Sequence, residues 1–171
     1  SDSAAKQSDP FQNLQFRNLG PAVAGGRVSA VVGVPGNPHI YYVGAAAGGV
    51  WKSIDGGQHW DSVLKDADTA SIGAIALAPS NPNLVWVGTG EANVRNDVLG
   101  GDGVYFSPDA GHSWKFMGLK EAGQISSVVV DPHDANTVFI GALGHIWATN
   151  SERGVFKTTD GGKTWKKVLF V

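Results

Sequence analysis

Apolar and polar positions alternate in short blocks along the chain, and the blocks recur in one order three times. Each unit opens with a small apolar segment that ends in proline or just before it turns polar: VSAVVGVP (28–35), IGAIALAP (72–79) and ISSVVVDP (125–132). A polar turn follows, GNPH, SNPN or HDAN. Next comes a β-branched and aromatic segment, IYYVGA (40–45), LVWVGT (84–89) or TVFIGA (137–142), and then a third, GVWKS (49–53), GVYFS (103–107) or GVFKT (154–158). Each unit closes with a second polar turn and a fourth segment, WDSVL, WKFMGL or WKKVLFV. Runs of Val, Ile and aromatic residues bounded by Gly, Pro, Asn and Asp read as strands joined by turns. Nothing sustains a helical period apart from a turn or two near 92–98, so the pattern predicts an all-β chain.

The second polar turn is the most regular part of the repeat. It reads SIDGGQHW (53–60), SPDAGHSW (107–114) and TTDGGKTW (158–165), a shared S/T-x-D-x-G-x-x-W whose copies start about 54 and about 51 residues apart. Four strands in each repeat of about 50 residues is the plan of a β-propeller blade. The small first strand suits a crowded place beside the axis, and the bulkier, lysine-bearing later strands suit the rim. Blades are expected at about 27–66, 71–120 and 124–171, within a propeller segment covering 16–171. Residues 1–15 read as a disordered leader. In each turn the aspartate (Asp55, Asp109, Asp160) and the hydroxyl (Ser53, Ser107, Thr158) accept hydrogen bonds from backbone N–H groups ahead of them. Gly57, Gly111 and Gly162 supply a positive φ. Trp60, Trp114 and Trp165 pack between strands or blades. These twelve residues are read as structural.

The three turns, in register with every flanking strand, resemble the Asp-box (BNR) repeat of sialidases, sortilin-type receptors and xyloglucan-cleaving glycosidases. The segments FRNLGP…GRV, GTGEANVRNDVLGGDGVY and GALGHIW…NSERGVFKTTDGGKTWKKVL resemble large bacterial secreted proteins described as sortilin-like or glycosyl-hydrolase-like BNR propellers. The resemblance runs from about 16 to 171. It implies a secreted or periplasmic protein whose full-length relatives are several times longer.

In an up-and-down blade the first-to-second and third-to-fourth turns share one face. The second-to-third loops collect on the other. Two of these loops are long, GEANVRNDVLGGD (90–102) and LGHIWATNSER (143–153), and long loops on one rim are where function concentrates. They supply the candidate ligand-binding residues Glu91, Asn93, Arg95, Asp97, Asp102, His145, Trp147 and Arg153, with Glu152 beside them. One reading is a polar pocket for a glycan or peptide, with Trp147 stacking on a sugar face. The other has Glu91, Arg95 and Arg153 in ion pairs that hold the loops, with His145 and Trp147 packed beneath. Trp51 and Trp86 are strand residues and read as packing.

Hydrolysis needs more than this inventory offers. Glycoside cleavage uses two carboxyl groups flanking the scissile bond. Where xyloglucan-cleaving relatives carry an Asp two residues before the Gly-Gly of the first blade, this chain has Ala46. The three-arginine cluster of sialidases has few candidates among Arg17, Arg27, Arg95 and Arg153, and no residue is assigned as catalytic. Three classes of function therefore stand side by side. The first is a non-catalytic extracellular binding or scaffold propeller, the second a glycoside hydrolase completed by residues outside the chain, the third a structural subunit assembling through blade edges.

Composition narrows the partners. With 13 Lys and Arg against 15 Asp and Glu the formal net charge is −2, so no polybasic surface points to nucleic acid. No apolar run reaches the length of a membrane-spanning helix. Cysteine is absent, and His39, His59, His112 and His133 lie in turns without ligand spacing, so no metal or cofactor is expected. Three blades fall short of the four to eight that close a propeller. The expected partners are a further propeller segment or other copies of the chain, meeting open blade faces, with FQNLQFRNLGP (11–21) as a closing strand.

Overall fold

The computed structural model describes residues 27–170, so the expected leader and the closing strand at 11–21 lie outside the described residues. Twelve strands form three antiparallel four-stranded sheets in sequence order, the plan of three propeller blades. The first sheet holds β1 (Val28–Gly33), β2 (Tyr41–Ala45), β3 (Gly49–Ser53) and β4 (Asp61–Ser62). The second holds β5 (Ile72–Ala78), β6 (Asn81–Thr89), β7 (Val104–Ser107) and β8 (Lys115–Phe116). The third holds β9 (Gln124–Val130), β10 (Val138–Gly144), β11 (Gly154–Thr158) and β12 (Lys166–Leu169).

Three local departures from the sequence pattern have physical reasons. The fourth strands of the first two blades are shorter than their apolar runs, because the carbonyls that follow turn away to the next blade: Val63 and Met117 accept hydrogen bonds from Trp114 and Trp165. The polar turn SNPN is partly absorbed into β6, with Asn81 opposite Ala78. Segment 92–98 holds bends and a turn and no helix, because Glu91 N–H closes the loop onto the Leu99 carbonyl at 3.3 Å. The one helical element among the described residues is a 3₁₀ turn at Lys120–Ala122, just before β9.

Two apolar layers join the three sheets. Tyr42, Val50, Ile72, Leu77, Val85 and Val87 fill the space between the first and second. Trp86, Val104, Ile125, Val128, Val138 and Ile140 belong to the layer between the second and third. The first strands lie side by side, with β5 flanked by β1 and β9. Their approach is set by glycine. A Cβ at Gly44 would run into Ile72, and one at Gly88 would run into Ile125. Ile72 and Ile125 are fully buried against these bare backbones.

Strand parity sorts the connections into two ends. At one end the aspartate turns sit on the first-to-second turns of their own blades, through Gly56 N–H to His39 O (2.9 Å), Ala110 N–H to Asn83 O (2.8 Å) and Gly161 N–H to Asn136 O (3.0 Å). At the other end the long loop 90–102 bonds the linkers between blades, through Gly90 N–H to Ser71 O (2.8 Å) and Gly101 N–H to Gly123 O (3.0 Å). Gly123 also bridges Gly144, at the root of loop 143–153. Both long loops therefore lie opposite the three aspartate turns.

Gly88→Ala is expected to destabilise the protein by about 1–3 kcal/mol, the cost of forcing a methyl into a filled core. Urea unfolding reads the loss. Adding Ile125→Ala to the same chain should cost less than the sum of the two changes, because it removes the Cγ2 that the new methyl would meet.

Candidate functional site

The three aspartate turns are built alike. In the second, Ser107 Oγ donates to Asp109 Oδ1 (2.9 Å) and accepts from Gly111 N–H (2.7 Å), while Ser113 N–H donates to the same Oδ1 (2.8 Å). In the third, Thr158, Asp160, Gly162 and Thr164 repeat these bonds at 2.7–2.9 Å. In the first, Ser53, Asp55, Gly57 and His59 do so at 2.8–3.0 Å. The residue before each tryptophan adds a side-chain bond to Oδ2: His59 Nδ1, Ser113 Oγ and Thr164 Oγ1, each at 2.6 Å. That position was not singled out in the sequence, although a side chain able to hydrogen-bond stands there in all three copies. Gly57, Gly111 and Gly162 have φ of 92°, 89° and 85°.

So many donors on one carboxylate hold it ionised. The bonds from Ser113 and Ser107 lower Asp109 to about 2, and backbone and side-chain bonds from the residue before the tryptophan hold Asp55 and Asp160 well below the usual carboxylate range. Every oxygen of these aspartates that could act on a ligand is already engaged in its own turn. The tryptophans reach further. Trp114 Nε1 donates to Val63 O and Trp165 Nε1 to Met117 O of the preceding blade, both at 2.7 Å, whereas Trp60 bonds its own Gly57 carbonyl at 2.9 Å.

The loop end distributes the candidate binding residues unevenly. Glu91 is buried, 2% exposed, and its Oε1 accepts from Arg27 at the start of the first blade. Asp102 is 8% exposed and collects Thr89 Oγ1 (3.0 Å), Tyr105 OH (2.6 Å) and Asp68 N–H (3.1 Å). Burial, then the bond to Asp102, raises the Tyr105 phenol far above its ordinary value. Arg95 and Asp97 pair with each other at 3.3 Å on the exposed tip, and Asn93 is exposed beside them. In the other loop Arg153 Nε donates to Leu143 O (3.1 Å), and Asn150 Oδ1 accepts the N–H groups of Glu152 and Arg153 at 3.0 Å. His145 is exposed, and Trp147 is 70% exposed.

Glu91 and Arg95 thus do form ion pairs, with Arg27 and Asp97, whereas Arg153 bonds a backbone carbonyl of its own loop and His145 and Trp147 are exposed and not packed beneath the loops. Among the described residues no hydrogen bond or ion pair joins a side chain of one long loop to the other. Arg27, Thr89, Tyr105 and Asn150 organise this end and were missed: Arg27 acts across a blade junction, while Thr89 and Tyr105 hold Asp102 and Asn150 holds its own loop, as polar groups without a motif to mark them. Gln124, at the position Arg27 and Ser71 hold in their blades, has a buried Oε1 without a protein partner. Ala46 is buried, and its N–H bonds Arg27 O at 2.8 Å. Two hollows open here. One, of about 350 Å³, runs between the first and second blades and is walled by Tyr105, Trp114 and Phe116 with Asp66, Asp68 and Lys120 at its edge. The other, of about 370 Å³, is shaped by Ile146, Trp147, Asn150, Arg153 and Phe170.

No protein-family model matches the chain, and no curated protein matches it in sequence. Solved structures do. An ancestral GH74 enzyme is 30% identical and superposes with a TM-score of 0.64 over 83% of this chain and 18% of its own. The GH74 enzyme of Niastella koreensis is 16% identical with a TM-score of 0.50, over 79% of this chain and 28% of its own. YCF48 bound to a D1 peptide is 16% identical with a TM-score of 0.56, over 84% of this chain and 41% of its own. The chain therefore spans less than half the length of each of these proteins. The likeness establishes the propeller-type fold.

The turn aspartates give a pH dependence whose sign is fixed. A carboxyl held lower in the folded chain than its unfolded value of about 3.9 stabilises the fold above that value and loses its contribution as pH falls toward the folded value. Stability is therefore expected to fall between about pH 4, the unfolded carboxyl value, and about pH 2, where Asp109 protonates in the folded chain. Denaturant unfolding across this window should show a shallower slope for the triple variant Asp55→Asn, Asp109→Asn, Asp160→Asn than for the parent.

Proposed function

We propose that the chain is part of a non-catalytic, exported Asp-box propeller, secreted or periplasmic, that binds a glycan or protein segment on its loop end within a larger assembly. The observation that carries this reading is how the carboxylates at that end are used. Glu91 neutralises Arg27, and Asp102 is held by three donors inside the fold. Both are placed to hold loops: Asp102 lines the hollow between the first and second blades, but its carboxylate oxygens there are engaged by Thr89, Tyr105 and the Asp68 N–H. What remains exposed is a recognition surface: Trp147, with Asn150 and Arg153 at the same hollow. An exposed indole beside hydrogen-bonding groups suits the face of a sugar ring or an apolar peptide side chain.

The peptide in the YCF48 complex supports the protein-segment arm of this reading, since a propeller of related fold is bound to one. A second reading is favoured by the 30% identity to a GH74 enzyme. In it the chain belongs to a glycoside hydrolase whose remaining catalytic residues lie outside these 171 residues.

Titration of the chain with neutral oligosaccharides and with short peptides tests the binding reading. Trp147→Ala is expected to weaken binding at least about tenfold, the loss of roughly 1.4 kcal/mol, with the thermal midpoint unchanged. Release of reducing ends by a longer polypeptide that carries this chain, abolished by Glu91→Gln or Asp102→Asn, would favour the hydrolase instead.

A further inference from the structure

The hollow between the first and second blades carries a charge that the fold does not balance. Leu64, Tyr105, Trp114 and Phe116 wall it, and its volume is about 350 Å³. Its two blades are already packed on each other through Tyr42, Val50, Ile72 and Val85. Tyr105 is 7% exposed, and its ring meets that of Phe116 with centres 5.5 Å apart and planes tilted by 60°. The polar atoms of the rings are engaged inside the fold: Tyr105 OH donates to Asp102 at 2.6 Å and Trp114 Nε1 to Val63 O at 2.7 Å. What the rings offer a ligand is therefore apolar and π surface.

Three carboxylates border this surface, Asp66, Asp68 and Asp102, against the single ammonium of Lys120. Asp102 is 8% exposed, and the donors that meet its carboxylate, Thr89 O–H, Tyr105 O–H and Asp68 N–H, are all neutral. Among the described residues its charge is thus hydrogen-bonded without being neutralised, unlike that of Glu91, which has Arg27. Asp66 and Asp68 are exposed, and Lys120 stands 3.9 Å from Asp68 with both side chains mostly in solvent, a pair of little strength. The carboxylates do not converge on a point: among the described residues no group of three His, Asp or Glu is placed to hold a metal ion. A cation that suits this hollow must be extended, apolar enough to lie on rings and able to reach separated carboxylates. Guanidinium has these properties, being planar, weakly hydrated, stable on aromatic faces and forked toward carboxylates. A neutral sugar suits the hollow less, because Lys120 is the one lining side chain with a donor left to give.

We propose that this hollow is a binding site for a guanidinium group on an apolar stem, the chemistry of an arginine side chain. The stem and the guanidinium plane would lie on Tyr105, Trp114 and Phe116, with Asp66 and Asp68 accepting its N–H groups at the edge. Asp102 contributes charge alone, because its oxygens are engaged. Lys120 competes for the same carboxylates, so a residue of the rim holds the affinity down. The volume lies near the lower end for small-molecule pockets, which suits one side chain better than a long segment. All the lining residues fall within 64–120, so the site does not depend on what adjoins the first or the third blade. It goes beyond the reading at Trp147 and is tested apart from it, since the two hollows share no residue.

The test is an NMR titration of the isotope-labelled chain with two probes, the capped tripeptide Gly-Arg-Gly and free agmatine. Saturable shifts are expected at 64–68, 102–105 and 114–120, with a Kd at or below about 1 mM that rises with salt. Asp66→Asn combined with Asp68→Asn, both at exposed positions, should weaken binding at least about tenfold with the thermal midpoint unchanged. Phe116→Leu, which keeps an apolar wall and removes the π face, should weaken it several-fold. Lys120→Gln should tighten it several-fold, a gain that damage to the surface would not produce. Trp147→Ala should leave it unaltered. Tighter binding of the tripeptide than of agmatine assigns the site to arginine within a protein segment, and equal binding assigns it to the guanidinium alone; either bears the proposal out. No saturable shift by about 10 mM, equal binding of the uncharged tripeptide Gly-Gln-Gly, or binding that survives the double asparagine variant would overturn it. Shifts at these residues from a neutral oligosaccharide, with none from either guanidinium probe, would overturn it equally and give the hollow to a glycan.

Discussion

The hydroxyl–carboxylate staple in each aspartate turn is the constraint on which the rest of the architecture depends. A serine or threonine buried at the end of the third strand donates to the aspartate two residues on and accepts from the glycine four residues on. The carboxylate then ties down the backbone just before the tryptophan. This closes a tight turn without any help from neighbouring sheets, and it fixes where the indole emerges. From that point Trp114 and Trp165 reach the preceding blade, so a local turn also sets the spacing between sheets. The second turn accepts backbone strain to do this: Ala110 has a φ of 58° where its counterparts are glycines.

The same economy explains the small first strands. Sheets that must meet at bare glycines bring aliphatic side chains against the backbone itself, and bulk is then confined to one partner of each contact. Ile72 and Ile125 carry the bulk, and Gly44 and Gly88 give way. Two residues from Gly88 on the same strand, toward the aspartate turns, the large ring of Trp86 fills the space between the sheets. Trp86 lies against Phe106 with ring centres 4.6 Å apart and meets Trp165 edge-on at 6.3 Å.

How much of this was legible in the sequence follows from the range of each interaction. Elements with local causes were readable: β-branched runs bounded by turn residues gave the strands, and a pattern repeated three times gave the blades and their turns. The opposed ends of the molecule followed from counting strands. Contacts between blades were not readable in the same way. Arg27 and Glu91 are 64 positions apart, and nothing near either announces the other. Tyr105 looked like a strand aromatic, yet its hydroxyl holds Asp102, and Asp102 in turn holds the linker at Asp68. The His, Ser and Thr before the tryptophans were visible but unlike one another, so their shared role as partners of Oδ2 was hidden by residue type.

The loop end shows why a list of charged residues overstates chemistry. A carboxylate in a long loop can serve a ligand or the loop, and burial decides which. A buried ion pair brings little net stability, because desolvation offsets most of the attraction, but removing one partner strands the other. Glu91, 2% exposed, is therefore committed to Arg27, and through Arg27 the start of the first blade is bound to the long loop of the second. That bond spans a blade junction at the end opposite the tryptophan contacts. Each junction needs a hold at both ends, since a sheet pinned at one end alone can swing about it. The aspartate turns provide the hold at one end, and the buried polar groups of the loops provide it at the other. Carboxylates used in this way are committed to the loops, and in the proposed binding role recognition at this end would fall to the exposed groups around Trp147.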